Sequence, residues 1–374
     1  MRRKTDIILS GDQKRIVWHL KTKGPTGRSY LAANLDMHNA LVTRLTRELL
    51  MLGCVEELDG QLTGRGRPTV PLTISGKAGY SAGAMVHPGW LELVLVDFAG
   101  TVLARHREPF KNDDPRAFIE LIELRLRELA LAKNVMRSRM LGLGVAVAGP
   151  VATAGSPNRW MVKWLAGWRD LDLAQFFEDA LGVPVWVENE ATLAGLAEFY
   201  DSGLINDCDS AISFFIGHGV GGGVVSRRDI LRGEFGNAGE VGRLFPATKQ
   251  RPSGIDLLGE INAAGGGLTS LLEIEDCMES HAELIDKWAK RVAKQLLSAA
   301  QGGVAWLDPG AVIVSGSLPL TLLDSIGANM LKDQDTFKSE HTPSPRLYVS
   351  KIGSWAVSVG AALLPIHDIM GAAE

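Results

Sequence analysis

Three times in its first 75 residues the chain repeats apolar positions with a helical period. In GDQKRIVWHLKTKG, Ile16, Val17 and Leu20 recur on one helix face, and Gly24-Pro25 ends the run. SYLAANL predicts a short second helix, with Ser29 as its N-cap and Leu31, Ala32 and Leu35 turned inward. In ALVTRLTRELLMLG, Leu41, Val42, Leu45, Leu49 and Leu52 form one stripe, Gly53 stops the helix, and the opposite face offers Asn39, Thr43, Arg44 and Arg47. VEELDGQLTGRGRPTVPLTI then places two strand-like stretches around a glycine-rich tip, Gly64-Arg65-Gly66-Arg67-Pro68.

The order helix, helix, basic helix, basic hairpin predicts a winged helix-turn-helix whose third helix enters the major groove of DNA. At the wing tip the glycines let the backbone approach a duplex, and Arg65 and Arg67 are suited to phosphates or a narrow minor groove. The helices alone leave a protein-interaction module open as the alternative.

Beyond residue 76 the period changes. Strand-like AGAMVH, LELVLVD and TVLARHREPF follow one another, then a helical PRAFIELIELRLRELALAK, the apolar strand LGLGVAVAGP, the helix DLAQFFEDALG and the strand VPVWVEN. A second half repeats the rhythm: strands SAISFFIG and GGVVSRR, the helix AELIDKWAKRVAKQLLSAAQGG, the strand AVIVSG and a last helix from near Trp355. Strands alternating with helices in two similar halves predict an α/β body of two lobes with a cleft.

Charge changes this picture more than composition does. Residues 1–75 carry 12 Lys and Arg against 7 Asp and Glu, net +5, whereas the remaining 299 carry 27 against 36, net −9. A basic head on an acidic body attracts a polyanion at one end only. The 374 residues exceed what one core usually serves, and 46% apolar composition fits a folded protein. No apolar run approaches the ~20 residues that span a bilayer and the N-terminus lacks a secretory pattern, so a cytoplasmic location is expected. Cys54, Cys208 and Cys277 are isolated, which suggests neither a disulfide framework nor a metal cluster.

Candidate chemistry gathers in three stretches of the body. VENEATLAGLAEF sets Glu188, Asn189 and Glu190 at a strand-to-helix corner, as a base, a polyol site or a helix cap. IGHGVGGGVV is a glycine-dense hairpin fit either to aim N–H groups at a phosphate or to let two backbones pack. GEFGNAGEVGRLF keeps Glu240 among small residues, where a carboxylate can accept from neighbouring sugar hydroxyls.

Together with VAVAGPV, LAGWRDLDL, LDPGAVIVSGS and the closing VGAALL, these motifs behind the predicted winged helix resemble the ROK family of repressors and sugar kinases over nearly the whole chain. The resemblance implies a two-lobed actin-like fold, with lobes at 76–190 plus 355–374 and at 191–354 behind the head at 1–75. It also implies a DNA-binding regulator, a repressor, that answers a sugar or sugar phosphate and acts as a dimer or tetramer on a pseudo-palindromic operator. The family's sugar-contacting Asn-Asp pair falls on Asn189 and Glu190, and its Glu-x-Gly-His motif on Glu240 and Arg243. Arg243 either favours an anionic effector or pairs with a carboxylate and closes the pocket.

Three departures argue against catalysis. Met85 stands where the family's kinases carry the first Asp of Asp-x-Gly-x-Thr, and methionine cannot organise a metal or phosphates. Glu190 replaces the catalytic Asp with a side chain one methylene longer, and a shift near 1 Å costs roughly 100-fold in rate. The nucleotide-side glycine pair is reduced to Ser315-Gly316-Ser317. LFPATKQRPSGIDLLGE, in place of the family's cysteine-rich zinc loop, has no cysteine or histidine, so no zinc and no cofactor are expected. A sugar kinase with an accessory head, and a regulator that answers a protein partner, are the competing readings.

Overall fold

A computed structural model describes residues 7–59, 70–153, 158–246, 248–332 and 342–371. Its contacts divide the chain into two compact units, Met1–Val145 with Trp164–Val187 and Ala361–Glu374, and Ala146–Lys163 with Glu188–Gly360.

The first unit begins with α1 (Gly11–Lys23), which Ser10 and Gln13 close with a capping box: Gln13 N donates to Ser10 Oγ at 3.3 Å and Ser10 N to Gln13 Oε1 at 2.9 Å. Strand β1 (Thr26–Gly27) leads into α2 (Arg28–Asn34), and α3 (Asn39–Leu52) ends at Gly53, whose φ is +77°. A side chain at Gly53 would also meet the Lys77 and Ala78 backbone at 3.1 Å, so both conformation and space call for glycine. Val42, Leu45 and Leu49 are buried while Leu41 and Leu52 are half-buried, a narrower stripe than the spacing predicts.

Strands β2 (Val55–Glu57) and β3 (Pro71–Ile74) pair antiparallel, Val55 opposite Ile74, and β1 adds to the other side of β3 with Thr26 opposite Leu72. This pairing corrects the expected cap of α2. Extended backbone runs through Gly27, so the helix starts at Arg28 with Gly27 as N-cap, and Ser29 lies inside it. Arg28 then donates to Thr46 Oγ1 at 3.0 Å and to Glu57 Oε1 at 2.7 Å, tying α2 to α3 and β2.

The head does not hang free within its unit. Lys21 Nζ donates to Ala99 O at 2.9 Å, and the Trp18 and His367 rings meet edge-on at 5.9 Å. Ala99 follows the central strands of the unit's larger sheet, β4 (Tyr80–His87) and β5 (Gly89–Asp97), which pair antiparallel with each other and then with β6 (Val102–Phe110). Helix α4 (Pro115–Ala132) starts at an Asp114 cap with proline in its first turn, and buries Phe118, Ile122 and Leu126 one turn apart. Strand β7 (Met140–Val147), helix α5 (Leu173–Leu181) and strand β8 (Val185–Asn189) follow, giving a sheet of order β6-β5-β4-β7-β8.

One charge lies at the centre of this apolar sheet. Glu92 on β5 is fully buried opposite Met85, with Arg107 Nη2 at 2.6 Å and His87 Nε2 at 3.5 Å. His87 stacks on Trp90 at 4.6 Å. The strand end that carries Met85 is therefore filled by a packed, ion-paired cluster.

The second unit opens with α6 (Glu190–Asp201) and a single turn, α7 (Leu204–Asp207). Strands β9 (Ala211–Ile216) and β10 (Val220–Ser226) form the glycine hairpin, continued by β11 (Asp229–Ile230). Helices α8 (Gly254–Ala263) and α9 (Ala282–Leu307) come next, then β12 (Ala311–Gly316), α10 (Leu320–Lys332) and β13 (Arg346–Val349); α11 (Ala356–Met370) begins in this unit, and its residues from Ala361 belong to the first. The sheet order is β11-β10-β9-β12-β13, with β12 parallel to both β9 and β13.

Alternation along β9 sorts its two faces. Ser213 faces α6, where a side chain at Gly195 would come within 2.4 Å of its Oγ, and Ile212 faces α9, where one at Gly303 would come within 2.6 Å of its Cδ1. Trp288, Val292 and Leu296 of α9 join the apolar core on that side. The stretch in the place of a zinc loop is held by protein contacts: Phe245 is buried in the core cluster, Arg251 Nη2 donates to Gly242 O at 3.1 Å, and Ser253 Oγ caps α8. Its residues do not fit a zinc ion, having no thiolate or imidazole to offer.

Candidate functional site

The candidate DNA-facing residues share one exposed surface. Asn39, Thr43, Arg44 and Arg47 all project from α3 on the side opposite buried Val42, Leu45 and Leu49. The β2-β3 pair flanks the stretch expected to form the wing, and Arg65 and Arg67 lie outside the described residues. His38, one residue before α3, caps it without a side-chain bond, so the first N–H groups of the helix are not all occupied by a cap.

The second cluster lies within the second unit, at the start of α6. Asn189 is the helix cap: its Oδ1 accepts from Ala191 N at 2.8 Å and Thr192 N at 3.4 Å. Glu190 occupies the first turn, where its charge complements the helix dipole. Glu188 is the buried member of the trio. Its Oε1 accepts from Asn189 N at 2.8 Å and from Arg159 Nη2 at 3.1 Å, and its Oε2 from Arg232 Nε at 2.8 Å.

Two loops reach this corner because they are stitched to each other. Asn237 accepts from Val151 N at 2.8 Å and donates to Val151 O at 3.0 Å, joining the loop that carries Arg159 to the loop that carries Arg232 and Glu240. Burial pushes the Glu240 carboxyl above its ordinary range, and Arg243 and Arg159 pull it back. Arg159 thus acts electrostatically on Glu240 while bonded to Glu188. Arg243 is exposed on the same turn as Glu240, and its guanidinium bonds to no side chain among the described residues.

The glycine hairpin serves close packing. A side chain at Gly221 would strike Ala191 Cβ at 2.7 Å, one at Gly223 would approach Ala191 O at 3.1 Å, and one at Gly239 would strike Gly222 O at 2.4 Å. Strand β10 therefore seats the start of α6 on one side and the Glu240 turn on the other. At the hairpin tip, Gly217 O and His218 O accept from Gly254 N at 2.7 Å and Ile255 N at 3.3 Å, engaging the first N–H groups of α8.

Ser315 is also turned inward. Its Oγ donates to Glu198 Oε1 at 2.8 Å, Ser350 Oγ donates to the same oxygen, and Glu198 Oε2 has no hydrogen-bond partner among the described residues. Burial raises the Glu198 carboxyl from 4.5 to about 7, against the pull of the two serines. The folded form accordingly holds a proton that the unfolded chain releases between those two values. Stability should fall as pH rises from about 4.5 to about 7 and level off above. In urea titrations across that range, Glu198→Gln should abolish most of the slope and exceed the wild type above neutrality by roughly 3 kcal/mol; an unchanged slope would contradict it.

The spacing placed Asn189 and Glu190, and Glu240 and Arg243, on two separate turns, and the loop contacts relate the turns through Arg159. It did not reveal Arg159 or Arg232, which partner Glu188 across 29 and 44 residues of chain. Neither lies in a periodic element, and the only hint was a second carboxylate beside Asn189.

The sequence profile of the ROK family matches residues 90–367. An uncharacterized protein of Sinorhizobium fredii is 30% identical over 96% of this chain and 91% of its own length. The xylose repressor of Bacillus spizizenii is 26% identical over 62% of this chain, a match that spans 60% of the repressor. Among solved structures, a ROK family transcriptional regulator, homolog of the Escherichia coli Mlc protein, shares the fold with a TM-score of 0.72 over 97% of both chains, at 20% identity.

Proposed function

The chain belongs to the ROK family, and on that premise we propose that it is a sequence-specific DNA-binding transcriptional regulator, a repressor, released from its operator by a small sugar-like effector. The observation that carries this reading is the α3 surface, a polar and basic face on a helix whose other side is locked into a three-helix, three-stranded head. Phosphate contacts from such a face supply affinity, and base-edge contacts supply sequence choice. Arg65 and Arg67 would extend the contact as a wing. A symmetric cytoplasmic dimer would present two heads to a pseudo-palindromic site.

The effector would lie against Asn189, Glu190, Glu240 and Arg243. Asn189 keeps its Nδ2 to donate, Glu190 and Glu240 accept from hydroxyls, and the exposed Arg243 offers a cation to a phosphate or acid group. Trp160, 59% exposed beside Arg159, adds an aromatic face on which a sugar ring can stack. That the name of a relative includes xylose supports a sugar of some kind.

The same geometry argues against a sugar kinase. Met85 is buried opposite an ion-paired Glu92, Ser315 is engaged by Glu198, and Glu190 is longer than the aspartate it replaces. Thermal melting against a panel of neutral sugars, sugar acids and sugar phosphates tests the effector. A true ligand at 100 times its dissociation constant adds about 2.7 kcal/mol, and it should lower the affinity for selected operator DNA. Turnover of ATP with any hexose would defeat the non-enzymatic reading.

A further inference from the structure

The acidic body carries a basic turn where it adjoins the head. From Leu129 to Met140 the chain reads LALAKNVMRSRM, with Lys133, Arg137 and Arg139 and no carboxylate. The acids that precede it on α4 are already engaged, Glu128 by Arg125 at 2.7 Å and Glu123 by Arg127 at 2.6 Å. Lys133 and Arg137 are exposed and have no ion-pair partner among the described residues. Backbone bonds hold the turn in shape, Val135 N donating to Ala130 O and Ser138 N to Val135 O, both at 2.9 Å. Two uncompensated cations are thus presented on a fixed surface.

Arg139 ties this turn to the end of α3. Its Nη1 donates to Ala78 O at 3.3 Å, and Tyr80 N donates to Arg139 O at 2.9 Å. Gly79 permits that approach, since a side chain there would come within 2.4 Å of Arg139 O. Ala78 in turn backs onto Gly53, where a side chain would meet its N at 3.1 Å. Burial raises the thiol of Cys54, the next residue, and the Arg139 charge pulls it partly back. Along α3, Arg44, Arg47 and Met51 recur at helical spacing and are all exposed, so the outward side runs on to the last turn before Gly53. The basic turn stands next to that end.

On the DNA-binding reading above, we infer that the duplex contact continues from the head onto this turn, with Lys133 and Arg137 each neutralising a phosphate outside the bases that α3 reads. Backbone contacts from segments beside the reading helix fix its register in helix-turn-helix proteins, and they add affinity without sequence choice. Charge favours such a contact here. A body of net −9 repels a duplex that extends past the head, and cations at the junction offset that repulsion.

Fluorescence anisotropy on the full-length protein across a range of salt, with selected operator and scrambled duplex, tests the turn. Lys133→Ala combined with Arg137→Ala should lower the slope of log affinity against log salt by about 1.8, or about 0.9 for each phosphate, on both duplexes. The ratio of the two affinities and the melting temperature should stay at the wild-type values. Lys287→Ala combined with Lys294→Ala removes the same charge from exposed positions on α9 and should leave the slope unchanged. An unaltered slope in the first pair, or an equal fall in the second, would overturn the inference while the head still binds DNA. A wild type that binds neither duplex would instead defeat the DNA-binding reading, and this inference with it.

Discussion

Arg44→Ala combined with Arg47→Ala should abolish sequence-specific operator binding while leaving the fold intact. Both side chains are exposed on α3, and neither belongs to the stripe of Val42, Leu45 and Leu49 that anchors the helix. A bidentate arginine contact with a guanine is worth roughly 1–3 kcal/mol of discrimination, so losing two such contacts costs between tens and many thousands fold in specificity. Fluorescence anisotropy on selected operator and on scrambled duplex reads both quantities. If an arginine contacts a phosphate instead, its loss weakens both duplexes alike and lowers the salt slope by about 0.9. Arg28→Ala is the informative contrast: Arg28 binds Thr46 and Glu57, so its loss should lower the melting point of the head before it alters DNA preference. Equal operator affinity in the wild type and the double variant would remove α3 as the reading helix.

The contrast between Arg28 and Arg44 also marks what periodicity can tell. Apolar spacing separated the inner and outer faces of α3 because a helix repeats every 3.6 residues whatever surrounds it. It gave α2 the wrong cap because Gly27 is drawn into an extended conformation by β3, more than forty residues onward, a pairing with no local signature. The strands of the body were legible as apolar runs, whereas Glu92 at their centre was not, since its burial depends on Arg107 arriving from the neighbouring strand. The head boundary at residue 75 marks a change of period, yet Lys21 and Trp18 bind the head to the sheet that follows within one compact unit. In the cluster at the start of α6, Asn189 and Glu240 stood out as motif positions. Arg159 and Arg232 did not, because loops that converge only through Val151 and Asn237 leave no period to read.

That convergence sets the second large effect, at Glu188. Its carboxylate is 7% exposed and lies between Arg159, itself 9% exposed, and the more open Arg232. Glu188→Ala leaves Arg232 free to turn into water but takes from the buried Arg159 guanidinium the carboxylate to which it is bonded. Removing one partner of a buried pair costs about 3–5 kcal/mol, mostly as the penalty of the charge left behind. Asn189 N loses its acceptor in the same step, so the start of α6 and the predicted ligand groups loosen together. Urea unfolding of the alanine variant should show this loss, and any effector found for the wild type should bind it far more weakly. Combining Glu188→Leu with Arg159→Met separates the two contributions. With no stranded charge much of the stability should return, since apolar replacement of a whole buried pair is often neutral, whereas effector binding should stay impaired because Glu240 keeps Arg243 but has lost Arg159, the second of the two cations that oppose its burial. A double variant as unstable as the single one would show that packing at this corner, and not the unpaired arginine, sets the cost.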